Sequence, residues 1–280
     1  MEVEIAGYRN VEYVLLKGNK IVLFGPNGAG KTNILRAVYL AAKALAGASF
    51  RISRDDFKPG GYIRLDRYTL KYSEGRLSLY EGGNLIDSTG AEGEVRFNVN
   101  SDITAALVNQ CTTYVSWQKG PIDACSGDPA STGEYLFEDP HIASRIVQRL
   151  DALETDIWSV YYRHAYKHNT WIEGTRLSYG ELRLLAILYA IEATPERSII
   201  LIDAFEAGFH HDWIVNLIKL LTEIPQTVVI ETHSGLVLLA AKKHKWSSYY
   251  IEGGKSKVIE ALNDVEMFTR EKKAYVAASE

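Results

Sequence analysis

The sequence of 280 residues predicts an α/β fold with a mixed sheet, an antiparallel meander and a helical lobe. Three observations predict it. A short apolar strand, Ile21 to Phe24, runs into Gly25-Pro-Asn-Gly-Ala-Gly30-Lys31-Thr32 and then into a helical pattern. Two further strands of buried type, Ser198–Ile202 and Thr227–Ile230, close on Asp203 and on Glu231-Thr232-His233-Ser234. Between these, period-two alternation over Gly61–Val99 gives way to an apolar stripe at helical spacing after Asp139.

The first strand and its successor carry the clearest chemistry. Glycines at 25, 28 and 30 let the backbone curl with its N–H groups facing inward, as a phosphate-binding loop requires. The helix that follows adds the partial positive charge of its N-terminus. In such a loop Lys31 reaches the β- and γ-phosphates of a nucleotide and the Thr32 hydroxyl ligates Mg²⁺. Asn27, Gly28, Ala29, Gly30 and Asn33 complete the expected ATP cradle.

The other elements follow in order. Glu2–Ala6 reads as a strand, with Tyr8-Arg9-Asn10 in the loop before Ile21. Ile34, Leu35, Val38, Tyr39, Ala42 and Leu45 keep helical spacing over 33–46, and Gly47 stops the helix. Gly61–Val99 reads as short strands separated by turns at Ser73-Glu74-Gly75 and Glu81-Gly82-Gly83-Asn84. Residues 103–110 fit a short helix, Thr112–Trp117 a strand, and 119–134 a loop rich in Gly, Pro, Ser and Asp. Asp139-Pro140 supplies an N-cap and a first-turn proline. The stripe Ile142, Ile146, Leu150, Leu153, Ile157, Val160 carries the predicted helix to about His168. Ser178-x-x-Glu181 opens a strongly apolar helix that ends before Pro195. Helices over 211–222 and from Ser234 to about Lys243 flank strand 227–230. Ser248–Ile251 and Lys257–Ala261 form a hairpin about Gly253-Gly254, and 264–275 reads as a short helix.

Composition narrows the function classes. A hydrophobic share of 46% and a charged share of 24% are those of a globular protein. A net charge of −4 argues against a generally basic nucleic-acid coat, though not against a local patch such as Arg51/Arg54/Lys58, Arg64/Arg67/Lys71 or Lys242-Lys243-Lys245. Cys111 and Cys125 form neither a disulfide framework nor a CxxC metal site, which fits a reducing cytoplasm. The acidic N-terminus reads as no signal peptide, and there is no membrane segment of 18 apolar residues. His164 and His168 lie four apart without a third ligand and read as solvated.

Leu177-Ser178-Tyr179-Gly180-Glu181 decides the branch. It resembles the Leu-Ser-Gly-Gly-Glu signature of ATP-binding-cassette (ABC) ATPases, with Tyr179 in place of one glycine. Tyr8-Arg9-Asn10 resembles the Asn-Phe-Arg-Ser motif of the soluble SMC/RecF/OLD-like group. Tyr114–Asp123 resembles the Q-loop region of the double-strand-break repair ATPase. Asp203-Ala204-Phe205-Glu206-Ala207-Gly208-Phe209-His210 resembles the Asp-Glu-x-Glu-x-Gly-Leu-His of small stand-alone and OLD-type members.

That resemblance implies one ABC-type ATPase domain over 1–280. Its nucleotide-binding lobe I is 1–134 plus 195–280, and its helical lobe II, carrying the signature, is 135–194. It implies ATP and Mg²⁺ as ligands, with Thr32, Gln118 and Asp203 on the metal, His233 on the γ-phosphate and Arg9 near the base or ribose. It implies an ATP-dependent head-to-tail homodimer, in which Ser178, Tyr179, Gly180 and Glu181 of one chain close on the other's nucleotide. The implied role is DNA repair or maintenance, or anti-virus defence, with DNA and a separate nuclease or effector as partners. The chain departs from the pattern at Ala204, where the family has its catalytic Glu. Alanine cannot orient water, so the expectation is a hydrolysis-deficient form, natural or engineered, unless Glu206 substitutes. The alternatives are a nucleotide-gated scaffold without turnover and the ATPase of a transporter; the meander and the 206–210 stretch count against the latter.

Overall fold

The computed structural model describes residues 1–99, 101–108, 114–116, 120–122, 139–161 and 164–260. Strands β1 (Glu2–Tyr8) and β2 (Val11–Lys17) form a hairpin, followed by β3 (Lys20–Phe24) and helix α1 (Lys31–Leu45). Sequence reading missed β2, because Glu12-Tyr13 interrupts its alternation; Val11, Val14 and Leu16 are nevertheless fully buried. Strands β4 (Phe50–Ile52), β5 (Phe57–Leu65), β6 (Tyr68–Ser73), β7 (Arg76–Glu81), β8 (Asn84–Gly90) and β9 (Gly93–Val95) follow. Within them β5 to β8 make the antiparallel meander, each strand paired with the next.

Strand β10 (Ala105–Val108) replaces the expected short helix over 103–110. It pairs in parallel with β16 (Ile199–Ile202), so tertiary pairing overrides its alanine-rich composition. Strands β11 (Tyr114–Ser116) and β12 (Gly120–Ile122) form a small hairpin. Most of the expected 119–134 loop and the expected 264–275 helix lie outside the described residues.

Helix α2 (Pro140–Ala152) is capped by the Asp139 carboxylate, which accepts the amides of His141 and Ile142. The expected continuation to His168 is wrong. Glu154 takes a left-handed φ of 54°, and β13 (Ile157–Tyr161), β14 (His164–Lys167) and β15 (Thr170–Glu173) form an antiparallel sheet. His168 and Asn169, both at positive φ, turn β14 into β15 as a two-residue hairpin. The stripe misled because Ile157 and Val160 lie inward on a bulged strand just as they would on a helix.

Helix α3 (Tyr179–Ala193) is buried on nearly all sides. Helix α4 (His211–Glu223), β17 (Thr227–Thr232), α5 (Gly235–Lys243), β18 (Ser247–Glu252) and β19 (Lys255–Val258) complete the described chain. The final hairpin thus returns over Lys255–Val258, two to three residues before the expected strand.

Among the described residues, twelve strands form one sheet in the order β10-β16-β17-β3-β18-β19-β2-β1-β5-β6-β7-β8. Strands β10, β16, β17, β3 and β18 run parallel; from β2 to β8 the sheet is antiparallel. The two parts join at one register pair, Lys255 opposite Tyr13, with the amides of Glu12 and Tyr13 both donating to the Gly254 carbonyl. The parallel strands are buried on both faces. Val22 and Phe24 of β3 point into a core with α2, α3, α4 and α5, while Ile21 and Leu23 point into a second core with α1 and the meander. No helix among the described residues is long and apolar enough to cross a membrane.

Candidate functional site

The parallel strands β3, β16 and β17 end side by side, and their exits bring together residues far apart in sequence. From β3 the chain enters the glycine loop at Gly25, whose φ is 155°; a Cβ there would lie 2.2 Å from the Ile251 carbonyl oxygen. Glycine is therefore required by both conformation and space. The loop ends at Gly30 with φ 103°, and α1 starts with no side-chain cap and no acidic residue in its first turn. Its first amides thus remain available to an anion.

Asn10 braces this loop and was missed as a site residue. Its Nδ2 donates to the Gly28 carbonyl at 3.0 Å, and its Oδ1 accepts from Asn33 Nδ2 at 2.8 Å. Arg9 donates to Asp56 at 2.8 Å and to Asn33 Oδ1 at 3.2 Å. Its guanidinium is thereby held at the edge of the loop.

Lys31 is buried, with Nζ donating to the carbonyls of Gly25 and Pro26, each at 3.0 Å. The same amine stands 3.4 Å from Glu231 Oε2 and 3.2 Å from His233 Nε2. Burial lowers the Lys31 pKa from its ordinary value, and Glu231 works against that. His233 is also shifted down, first by burial and then by the Lys31 charge, which favours its neutral form beside the lysine. Thr32 Oγ1 donates to Asp203 Oδ1 at 2.9 Å. A hydroxyl and a carboxylate meeting beside the glycine loop form a donor set that fits a hard divalent cation such as Mg²⁺.

Beyond Asp203 the chain does not stay extended. Ala204 takes φ 45°, and Ala207 N–H donates to its carbonyl at 2.9 Å, closing a turn. Two residues hold that turn with four hydrogen bonds. Glu231 accepts the amides of Ala204 through Oε1 at 3.2 Å and of Phe205 through its backbone oxygen at 2.9 Å. Arg183, fully buried in α3, donates to the carbonyls of Asp203 and Ala204. The assumption that 203–206 remain extended, with 204 and 206 on one side, is corrected by this turn. Glu206 instead accepts from Thr232 Oγ1 at 2.8 Å and from the His233 amide at 2.9 Å, so both its oxygens are engaged in positioning the His233 loop.

Glu231 is the second residue that sequence reading passed over. It is 2% exposed, and burial raises its carboxyl to about 7 against the opposing Lys31 charge. The signal was a charged residue at the end of Thr227-Val-Val-Ile, two residues before His233. Arg183, inside the apolar run of α3, gave a similar signal. Each is a charge in a setting that excludes charge unless it is paired.

Ser178, Tyr179, Gly180 and Glu181 form the start of α3. Ser178 Oγ accepts from the Glu181 amide at 3.3 Å and Glu181 Oε2 accepts from the Ser178 amide at 2.8 Å, a complete capping box. Lys167 of β14 pairs with the other Glu181 oxygen. Gly180 packs on the loop after Asp203: a Cβ there would lie 2.1 Å from the Gly208 carbonyl oxygen. Tyr179 is 40% exposed. Gln118 lies outside the described residues.

Comparison with known proteins agrees with this architecture. The family described as AAA domain, putative AbiEii toxin, type IV TA system matches residues 20–102 and 128–240. None of the curated proteins matches the chain's sequence. Among solved structures, the SMC head with an extended coiled coil bound to the C-terminal domain of ScpA, from Pyrococcus furiosus, superposes with a TM-score of 0.59 at 14% identity, covering 97% of this chain and 98% of that one. The SMC head domain from Thermotoga maritima gives 0.54 at 15% identity, covering 93% and 98%. An ATP-binding cassette solved as a dimer in a post-hydrolysis state with ADP and Pi gives 0.50 at 14% identity, covering 92% and 99%. At these identities the likeness is one of fold.

Proposed function

The chain belongs to this AAA-domain family and has the fold of ABC and SMC-head ATPases, and on that premise we propose that it is an ATP-switched homodimer. The observation that carries the reading is the convergence of Lys31, Thr32, Asp203 and His233 at one strand-end cluster, with Thr32 and Asp203 2.9 Å apart. The loop amides of 27–33 and the open start of α1 cradle the phosphates, and Lys31 pairs with the terminal two. Thr32 and Asp203, with Gln118, hold Mg²⁺, which neutralises phosphate charge when bound. His233 contacts the γ-phosphate, and Arg9 borders the base or ribose.

Ser178, Tyr179, Gly180 and Glu181 act in trans, each signature closing on the partner's ATP. Lobe I (1–134 plus 195–280) presents the nucleotide and lobe II (135–194) presents the signature. A solved ATP-binding cassette that is a dimer bound to ADP and Pi supports a dimeric reading. A separately encoded effector, in DNA maintenance or anti-virus defence within the cytoplasm, would read the dimer; the toxin–antitoxin wording of the family description favours defence. With alanine at 204, turnover is slow, whether the residue is natural or an engineered trap. The second reading, a scaffold gated by nucleotide and without turnover, is favoured by Ala204 alone.

Light scattering with and without ATP-Mg²⁺ tests the proposal. A shift from monomer to dimer mass on adding ATP is expected, and is lost on chelating Mg²⁺. A mass that ignores nucleotide would overturn the switch.

A further inference from the structure

The methyl group at 204 leaves the site without its usual carboxylate, yet a different carboxylate stands beside it. Glu231 reaches from β17 so that Oε1 accepts the Ala204 amide at 3.2 Å and lies 3.9 Å from His233 Nε2. Its Oε2 lies 3.4 Å from Lys31 Nζ and has no hydrogen-bond partner among the described residues. Lys31 and His233 are the two side chains assigned above to the terminal phosphate. Glu231 is within 4 Å of both, and its buried Oε2 is ion-paired with Lys31 yet accepts no hydrogen bond among the described residues. The other acidic groups are committed elsewhere: Asp203 to Thr32, and Glu206 through both oxygens to Thr232 and His233.

We propose that Glu231 orients the attacking water in this chain, in the place left by Ala204. The proposal rests on the ATP reading above. The water oxygen bonds to the terminal phosphorus as the bond from that phosphorus to the bridging oxygen breaks. ADP leaves with that electron pair, and the water's proton passes to the Glu231 carboxylate and on to solvent. His233 and the Lys31 amine flank the transferred group and spread its charge. Because the Glu231 carboxylate also fixes the Ala204 amide, its position is set by the turn that carries Asp203.

The test compares wild type, A204E, E231Q, E231D and the double variant E231Q with A204E. Binding is read with a fluorescent ATP analogue and chemistry by single-turnover phosphate release. E231Q keeps the acceptor for the Ala204 amide, so binding should stay within about threefold while turnover falls by ~10-fold or more. With A204E alone as reference, E231Q should cost far less turnover in the A204E background than in the wild type, whereas a merely structural role for Glu231 would cost the same in both. E231D, which keeps the charge but withdraws it by one methylene, covers the case in which E231Q does not fold; the same loss of turnover with binding intact is expected. Unchanged turnover in a folded variant that binds ATP overturns the proposal and leaves the ATP reading standing. So does a wild type that binds ATP and releases no phosphate. A wild type that binds no ATP removes the reading beneath both.

Discussion

Helices α1 and α3 are each 15 residues long, and each starts at a glycine-bearing motif, yet they treat their first amides in opposite ways. Helix α1 begins from a left-handed Gly30 with no side-chain cap and no acidic residue in its own first turn. Helix α3 begins with Ser178 and Glu181 bonded reciprocally, and Glu181 is further held by Lys167. The first leaves its N–H groups unsatisfied by the protein; the second uses two of its own groups to finish itself. An open start can bind an anion alone, whereas a self-capped start bearing a carboxylate is a poor anion site until another surface is brought to it. That difference fits one nucleotide held in cis and a signature that acts only across an interface.

The comparison can be broken at several points. Lys31→Ala should have the largest effect. Removing a charge-assisted contact to phosphate should weaken ATP binding by about 100-fold, measured by calorimetric titration. An effect confined to turnover would mean that α1 and its loop suffice without the amine. Gly180→Ala comes next, because its methyl group would meet the Gly208 carbonyl. A loss of about 1–3 kcal/mol in urea unfolding is expected from this overpacking. A neutral result would show that the start of α3 is not wedged against the Asp203 turn. Ser178→Ala should be smallest, costing about 1 kcal/mol of stability through the lost cap. Its sharper reading is nucleotide-dependent dimer mass, which should fall more than stability does if the hydroxyl also serves the partner's ATP.

How far the sequence could be read follows the same physics. The glycine loop was legible because phosphate chemistry demands local residue types at fixed spacing. The parallel strands 199–202 and 227–232 were legible because burial on both faces leaves continuous apolar runs. Tertiary choices were not. Residues 105–108 become a strand only because β16 offers an edge, and Ile157 and Val160 satisfy helix and bulged strand alike. The turn at Ala204 was equally hidden, since Glu231 and Arg183 impose it from two other elements. Both announced themselves only as charges in apolar surroundings. The sequence can flag such a residue as needing a partner, but the partner emerges only when strands 27 residues apart end side by side.

The joint between β19 and β2 has a mechanical consequence. The parallel and antiparallel parts of the sheet meet at the Lys255–Tyr13 register pair, at the Gly254 carbonyl and through side chains, with the Leu15 amide donating to Ser256 Oγ and the Lys17 amide to the Tyr249 hydroxyl, while the Gly254 amide donates to the Ala29 carbonyl in the glycine loop at 3.2 Å. With a single laddered pair, the seam is stitched mainly by side chains, and it adjoins the glycine loop. Gly254 therefore belongs to both the seam and the glycine loop, so a shift of its peptide would disturb Ala29 and the join to β2 together.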